Sequence, residues 1–295
     1  MIRNKSASLL LILLAYAAAL IAAVYTVRML ESSLGVFGTG LAADLAATLV
    51  IFIFSMLFKN SSAYDPYWSV APPVLFLYWT ARSGSFADAR TILLLGATIF
   101  WAVRLTSNWM RDWPGLEHED WRYVEFREKF GKAFPAVSLG GIHVFPTTIV
   151  ALASLPAWMV IRSPGTPIGL WDLLGLIFTV GGASLSFLAD EQMRRFRHSE
   201  TGGVMTAGLW GISRHPNYLG EIMFWFGLWF FAIGSSTILW WTGIGAVAML
   251  LMFLFVSIPW MEERIKSKHP EFESVKRSVP ILIPFPGRSM TKSAD

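Results

Sequence analysis

The stretch IMFWFGLWFFAIGSSTILWWTGIGAVAMLLMFLFVSIPWM, residues 222–261, runs forty residues without one charged side chain. A helix crosses the hydrocarbon core of a bilayer with about 20 predominantly apolar residues, so this stretch is long enough to cross twice. Gly234-Ser235-Ser236 stands near its middle and reads as the break between two helices. Working outward, further uncharged runs cover 6–27, 45–58, 66–81, 91–103, 144–161 and 173–189. Extended into their polar ends, they give eight candidate spans near 6–28, 41–58, 66–82, 91–111, 144–162, 170–196, 217–234 and 237–262. Pro72-Pro73 interrupts the third, a kink that neighbouring helices can accommodate inside a bundle. The first follows Arg3 and Lys5 but exceeds the roughly 7–15 apolar residues of a secretory signal, so a retained spanning helix is expected. The expected fold class is all-α, a polytopic transmembrane bundle of seven to eight spanning helices.

Composition agrees. The chain is 54% hydrophobic and only 15% charged, against about 25% charged residues in soluble domains. It holds no cysteine, which excludes disulfides and thiolate metal sites. The net charge of +4 is explained by topology. With the N-terminus inside, eight spans place twenty of the 24 Lys and Arg in inner loops and only Arg28, Arg82, Arg90 and Arg162 outside. Cytoplasmic loops carry such an excess, so both termini are expected in the cytoplasm, with membrane lipids and no nucleic acid as partner. In the long loop 112–143, Glu117 to Phe130 places Tyr123, Phe126 and Phe130 on one helical face, the pattern of a helix lying on the inner leaflet or against the bundle.

Ionisable groups at membrane depth point to function by default, and four clusters gather on the inner side. In Tyr64-Asp65-Pro66-Tyr67-Trp68-Ser69, Asp65 is either the N-cap ahead of Pro66 or a carboxyl in an aromatic pocket whose pKa is raised by desolvation. In the second, Trp101 to Trp113, Arg104, Asn108 and Arg111 recur on one face. They either hold an anionic group together or snorkel to headgroups. The third, Asp190 to Arg197, puts Asp190 and Arg197 on one face and allows Asp190/Arg194 and Glu191/Arg195 pairs. The fourth runs Gly208 to Glu221 and contains Arg214-His215-Pro216-Asn217-Tyr218. His215 is expected as the cap and Pro216 as the first helical residue. That helix N-terminus beside Arg214 is an anion site, with Asn217 and Glu221 facing the bundle interior. Glu262-Glu263-Arg264 leaves the last span. No G-x-G-x-x-G, P-loop or G-x-S-x-G string occurs, and the five His lack metal-ligand spacing, so no metal is expected.

These strings resemble the steroid 5α-reductase (3-oxo-5α-steroid 4-dehydrogenase) membrane family. The match lies in Asp190…Arg197, Gly208-Leu-Trp, Asn217-Tyr-Leu-Gly-Glu221 and Leu282-Ile-Pro-Phe285. Asp65-Pro-Tyr-Trp-Ser, Trp101-x-x-Arg104-Leu and Glu119-Asp-Trp-Arg-Tyr123 are similar to its bacterial branch. A reductase-like domain is thus expected over 41–286, with the spanning helix of 1–40 outside it and a polar tail at 287–295. The resemblance implies NADPH-dependent reduction of a carbon–carbon double bond conjugated to a ketone, in an apolar steroid-like substrate taken from the bilayer. Asp65 aligns with the family's glutamate. Trp101 stands where the family has a ketone-binding tyrosine, so the polarising hydroxyl falls to Tyr67 or Tyr64 unless the alignment shifts. Cofactor contacts are implied at Asp190, Arg197, Asn217, Glu221 and Glu262 or Arg264, with Arg104 and Arg111 toward phosphates. Arg-His-Pro-Asn-Tyr-x-Gly-Glu and Glu262-Glu263 also resemble the isoprenylcysteine carboxyl and phospholipid methyltransferases, which use S-adenosylmethionine.

Overall fold

A computed structural model describes residues 4–199 and 202–284, so Phe285 and the 287–295 tail lie outside the described residues. Among those described, all regular structure is helical. Helix α1, Lys5–Phe58, is 54 residues long, about 80 Å at 1.5 Å per residue, far more than one bilayer crossing. Gly35, at φ 65° and ψ 175°, breaks it. Residues on either side of the break meet the same partner: the Tyr16 ring lies 6.1 Å from that of Tyr67, whose hydroxyl donates to Asp44. Only a chain folded back at Gly35 brings 16 and 44 together, so α1 is a hairpin of two spans. Glycine takes this positive φ without a Cβ penalty.

Helix α2 (Tyr67–Ser83) runs unbroken through Pro72 and Pro73, and α3 spans Ala89–Asp112. Helix α4 is Trp121–Phe130, shorter than the expected 117–130 because Asp120 caps it by accepting from the Arg122 amide. The short α5 (Phe134–Val137) leads into a π-helix over Ser138–Val144, then α6 (Phe145–Ala153) and α7 (Leu155–Ile161). Helix α8 is Leu170–His198 and α9 is Pro216–Ser235. The chain continues through α10 (Ile244–Met252), α11 (Ile258–Lys268) and α12 (Phe272–Ser278). Among the described residues, six helical stretches are long and apolar enough to cross a membrane. Dividing α1 at Gly35 and adding the 17-residue α2 restores the eight expected spans. The chain is a multi-pass membrane protein built as a polytopic helical bundle.

Helices α8 and α9 pack backbone to backbone. A Cβ on Gly220 would strike the Gly182 carbonyl and Ser186, and one on Gly227 would come within 2.7 Å of the Thr179 amide and 2.8 Å of the Gly175 carbonyl. Glycines seven apart on each helix thus form one seam, the small-residue packing that lets membrane helices approach closely. At one end of the seam Arg90, 2% exposed, donates to Asp172 at 2.5 and 2.8 Å and to the carbonyls of Pro167 and Gly234. It ties α3, α8 and the last turn of α9 together. At the other end lie Asp190 and Asn217.

Candidate active site

The seam delivers the first cluster. Ser186 donates to the Asn217 carbonyl at 2.7 Å, and the Asn217 amide donates to Asp190 at 3.3 Å. From α3, Asn108 donates to Asp190 at 3.0 Å and Arg104 pairs with Asp190 at 3.3 Å. The other arm of Arg104 pairs with Glu221, whose second oxygen accepts from the Trp101 indole at 2.7 Å. Arg104, Glu221 and Trp101 are buried, and Trp101 stacks on Phe224 at 4.3 Å. Five sequence-predicted residues from three helices therefore meet in one network, with Trp101 at its edge. Its inner cation is committed to carboxylates, which corrects the expectation that Arg104, Asn108 and Arg111 present one anion-holding face. The Arg104 Nε remains buried without a partner among the described residues. Asp190 pairs with Arg104 rather than Arg194, which instead binds Asp112, Glu191 and Asn108. Arg111, with its side chain 48% exposed, lies 3.6 Å from Glu191, and Arg197 is exposed.

The second cluster closes the start of α9. His215 is the N-cap residue and Pro216 the first helical one. Arg214 donates to Glu262 at 2.8 Å and to the carbonyls of Lys276 and Val279 at 2.9 and 2.8 Å. His215 lies 3.1 Å from the same Glu262 oxygen and Lys276 pairs with the other at 3.2 Å. Arg214 thus fastens α12 to α9 instead of offering a free anion site. Tyr218 stacks on His215 at 5.4 Å, within the electrostatic reach of Asp190, Asp120 and Arg122. It stands between this cluster and the next. Arg264 lies apart, 4.9 Å over the Trp121 ring.

The third cluster surrounds Asp65. A 3₁₀ turn over Ser61–Tyr64 precedes it and α2 starts at Tyr67, capped by Pro66 without a side-chain bond. Asp65 is therefore no N-cap: its carboxylate accepts from the Tyr123 hydroxyl at 2.5 Å. Burial pushes the Asp65 carboxyl up to about 7 against the opposing field of Arg122. The surrounding loop is held by Glu119, which accepts from the Ser61 amide and from Arg127, both at 2.8 Å. Tyr67 points elsewhere, its hydroxyl donating to Asp44 at 2.6 Å, and the Tyr64 hydroxyl bonds Thr147 at 2.8 Å. The hydroxyl beside Asp65 is Tyr123, which the sequence marks as one position of an apolar face and as the end of the Glu119–Tyr123 string, but to which it assigns no role. Asp44 escapes the sequence reading because it directly precedes the uncharged run 45–58, although a lone acid within a candidate span is itself a signal.

An uncharacterized protein of Schizosaccharomyces pombe, C594.04c, is 27% identical over 233 residues, covering 70% of this chain and 67% of the yeast protein. No solved structure matches this chain. A family model described as protein of unknown function, DUF1295, matches residues 51–279, a range containing all three clusters, and the chain belongs to that family.

Proposed function

We propose that this protein is a membrane-embedded reductase that uses NADPH to saturate a carbon–carbon double bond conjugated to a ketone in an apolar, steroid-like substrate. The observation that carries the reading is the Asp65–Tyr123 pair, a neutralisable carboxyl and a phenol held 2.5 Å apart at one mouth of the bundle. Near neutral pH such a pair offers hydrogens to a ketone oxygen, and oriented donors stabilise the charge that develops there. The residues also fit the cofactor. The orphaned Arg104 Nε wants an acceptor, and Asn108, Asp190 and Asn217 offer polar atoms beside it. Exposed Arg111, Arg195 and Arg197 on the rim suit phosphate groups. Bound NADPH supplies hydride to the carbon β to the ketone. Asp65 and Tyr123 hold the ketone oxygen and spread its growing negative charge, while the aromatic walls of Trp68 and Trp101 keep water out. The Lys/Arg bias supports a cytoplasmic position for this mouth, from which NADPH would reach it, with the substrate entering from the bilayer.

The test mixes purified protein with NADPH and a panel of 3-oxo-Δ4 steroids and other apolar enones and follows the reduced-nicotinamide absorbance. Turnover on at least one enone, lost in Asp65→Asn, is expected. A second reading, methyl transfer from S-adenosylmethionine to a lipid or prenylated acceptor, is favoured by one contact: His215 and Glu262, from the two strings shared with those methyltransferases, lie 3.1 Å apart. Methyl transfer without enone turnover would replace the reductase reading.

A further inference from the structure

Asp44 lies nine residues beyond the Gly35 break, about 14 Å along the helix, and is 9% exposed. Its partner is the Tyr67 hydroxyl, and no charged side chain faces it among the described residues. A carboxylate in that place lacks the cation that ordinarily accompanies a buried charge.

What does reach it is a chain of hydroxyls. Tyr67 donates to Asp44 at 2.6 Å, and Thr48 stands within interaction range of its hydroxyl. Thr48 lies 3.0 Å from Thr147, and Thr147 lies 2.8 Å from the Tyr64 hydroxyl. All four are buried, and they come from both sides of the bundle: Thr48 from α1, Tyr67 from α2, Thr147 from α6, Tyr64 from the turn before Asp65. The π-helix before α6 sets His143 with its ring 4.8 Å from that of Tyr64 and its Nε2 3.1 Å from Ser55, and Tyr16 flanks Tyr67. π-helical turns are frequent at functional positions.

We propose that Asp44 is an intramembrane proton site and that Tyr64, Thr147, Thr48 and Tyr67 are the hydroxyl relay that loads it from the mouth where Asp65 stands. Each hydroxyl has one hydrogen to give and lone pairs to receive one. With Tyr67 donating to Asp44, the consistent arrangement has Tyr64 donating to Thr147, Thr147 to Thr48 and Thr48 to Tyr67. In one shift every oxygen passes its hydrogen forward and takes another from behind. Asp44 carboxylate becomes the acid, and Tyr64 takes its replacement from hydronium supplied at the mouth, leaving neutral water. Resting on the reductase reading, this gives a dry interior a source for the proton that must follow hydride onto the substrate.

The test is infrared spectroscopy of the whole protein in detergent. A protonated-carboxyl stretch near neutral pH, absent in Asp44→Asn, is expected. On transfer to D₂O its isotope shift should develop about tenfold more slowly in Thr147→Val, a change worth about 1.4 kcal/mol of barrier, because the substitution keeps the shape and deletes the hydroxyl. A wild-type spectrum with no band lost in Asp44→Asn overturns the proposal, as does unchanged exchange in Thr147→Val. Should Thr147→Val fail to fold, Thr48→Val cuts the same chain and is read the same way. The readout needs no turnover, so a protein that oxidises no NADPH retires the reductase reading while the exchange rates still decide the relay.

Discussion

Glu221→Ala removes the acceptor of two buried donors at once. The Arg104 guanidinium keeps only its 3.3 Å contact with Asp190, with Nε already unpartnered, and the Trp101 indole loses its 2.7 Å bond. Breaking a buried ion pair from one side costs about 3–5 kcal/mol, because the remaining charge stays desolvated. An orphaned buried indole N–H adds about 1–3 kcal/mol, and the two losses overlap, so a total of about 4–6 kcal/mol is expected. Glu221→Gln retains one acceptor oxygen and turns an amide N–H₂ toward the other donor, so about half that loss is expected. Arg104→Met with Glu221→Met replaces the pair by apolar volume, which in such pairs is often neutral or stabilising. The assay is denaturant unfolding in micelles followed by tryptophan fluorescence, scored by midpoint at constant slope. A Glu221→Ala protein within about 1 kcal/mol of wild type would refute the argument. So would a double variant no more stable than the single one.

Other expectations follow from the same geometry. Between the ordinary aspartate range and about 7, folded Asp65 holds a proton that the unfolded chain releases. Stability should therefore fall as pH rises through that window, by about 2–4 kcal/mol, and Asp65→Asn should flatten the dependence in the same unfolding assay. On the reductase reading, enone turnover declines above about pH 7 as the Asp65 carboxyl ionises. Tyr123→Phe should depress kcat more than about tenfold with little change in NADPH affinity by fluorescence titration; an equal loss in both would count against its place at the ketone. Gly220→Leu should abolish folding in detergent, seen as aggregation on gel filtration, because its side chain would enter the α8 backbone. Arg214→Lys should loosen α12, read as faster proteolysis near Pro270, since lysine cannot reach Glu262 and two carbonyls together.

The architecture is legible in the sequence because the bilayer leaves few options: uncharged length, once divided at Gly234-Ser235-Ser236, converts directly into spans. The hairpin is legible too, since Arg28, Glu31, Ser32 and Ser33 separate the first two expected spans, while the positive φ places the break at Gly35 itself. Site legibility divides by the range of the contact. His215 capping α9 is local and follows from the proline after it. Asp190 turning to Arg104 instead of Arg194 is not local, because a buried guanidinium from another helix outcompetes a neighbour one turn away. Tyr123 meeting Asp65 spans 58 residues of chain, and helical periodicity carries no trace of the partner.

The glycine contact between α8 and α9 has a bearing on how ligands come and go. Two backbones in direct touch leave no layer of side chains to yield, so Asp190 and Asn217 ride on a single stiff plank. Any widening needed to admit a bulky guest falls instead to α4 and α12, which are short and held by a few polar clasps and small apolar contacts. On the reductase reading, entry and exit therefore depend on how readily these peripheral contacts give way.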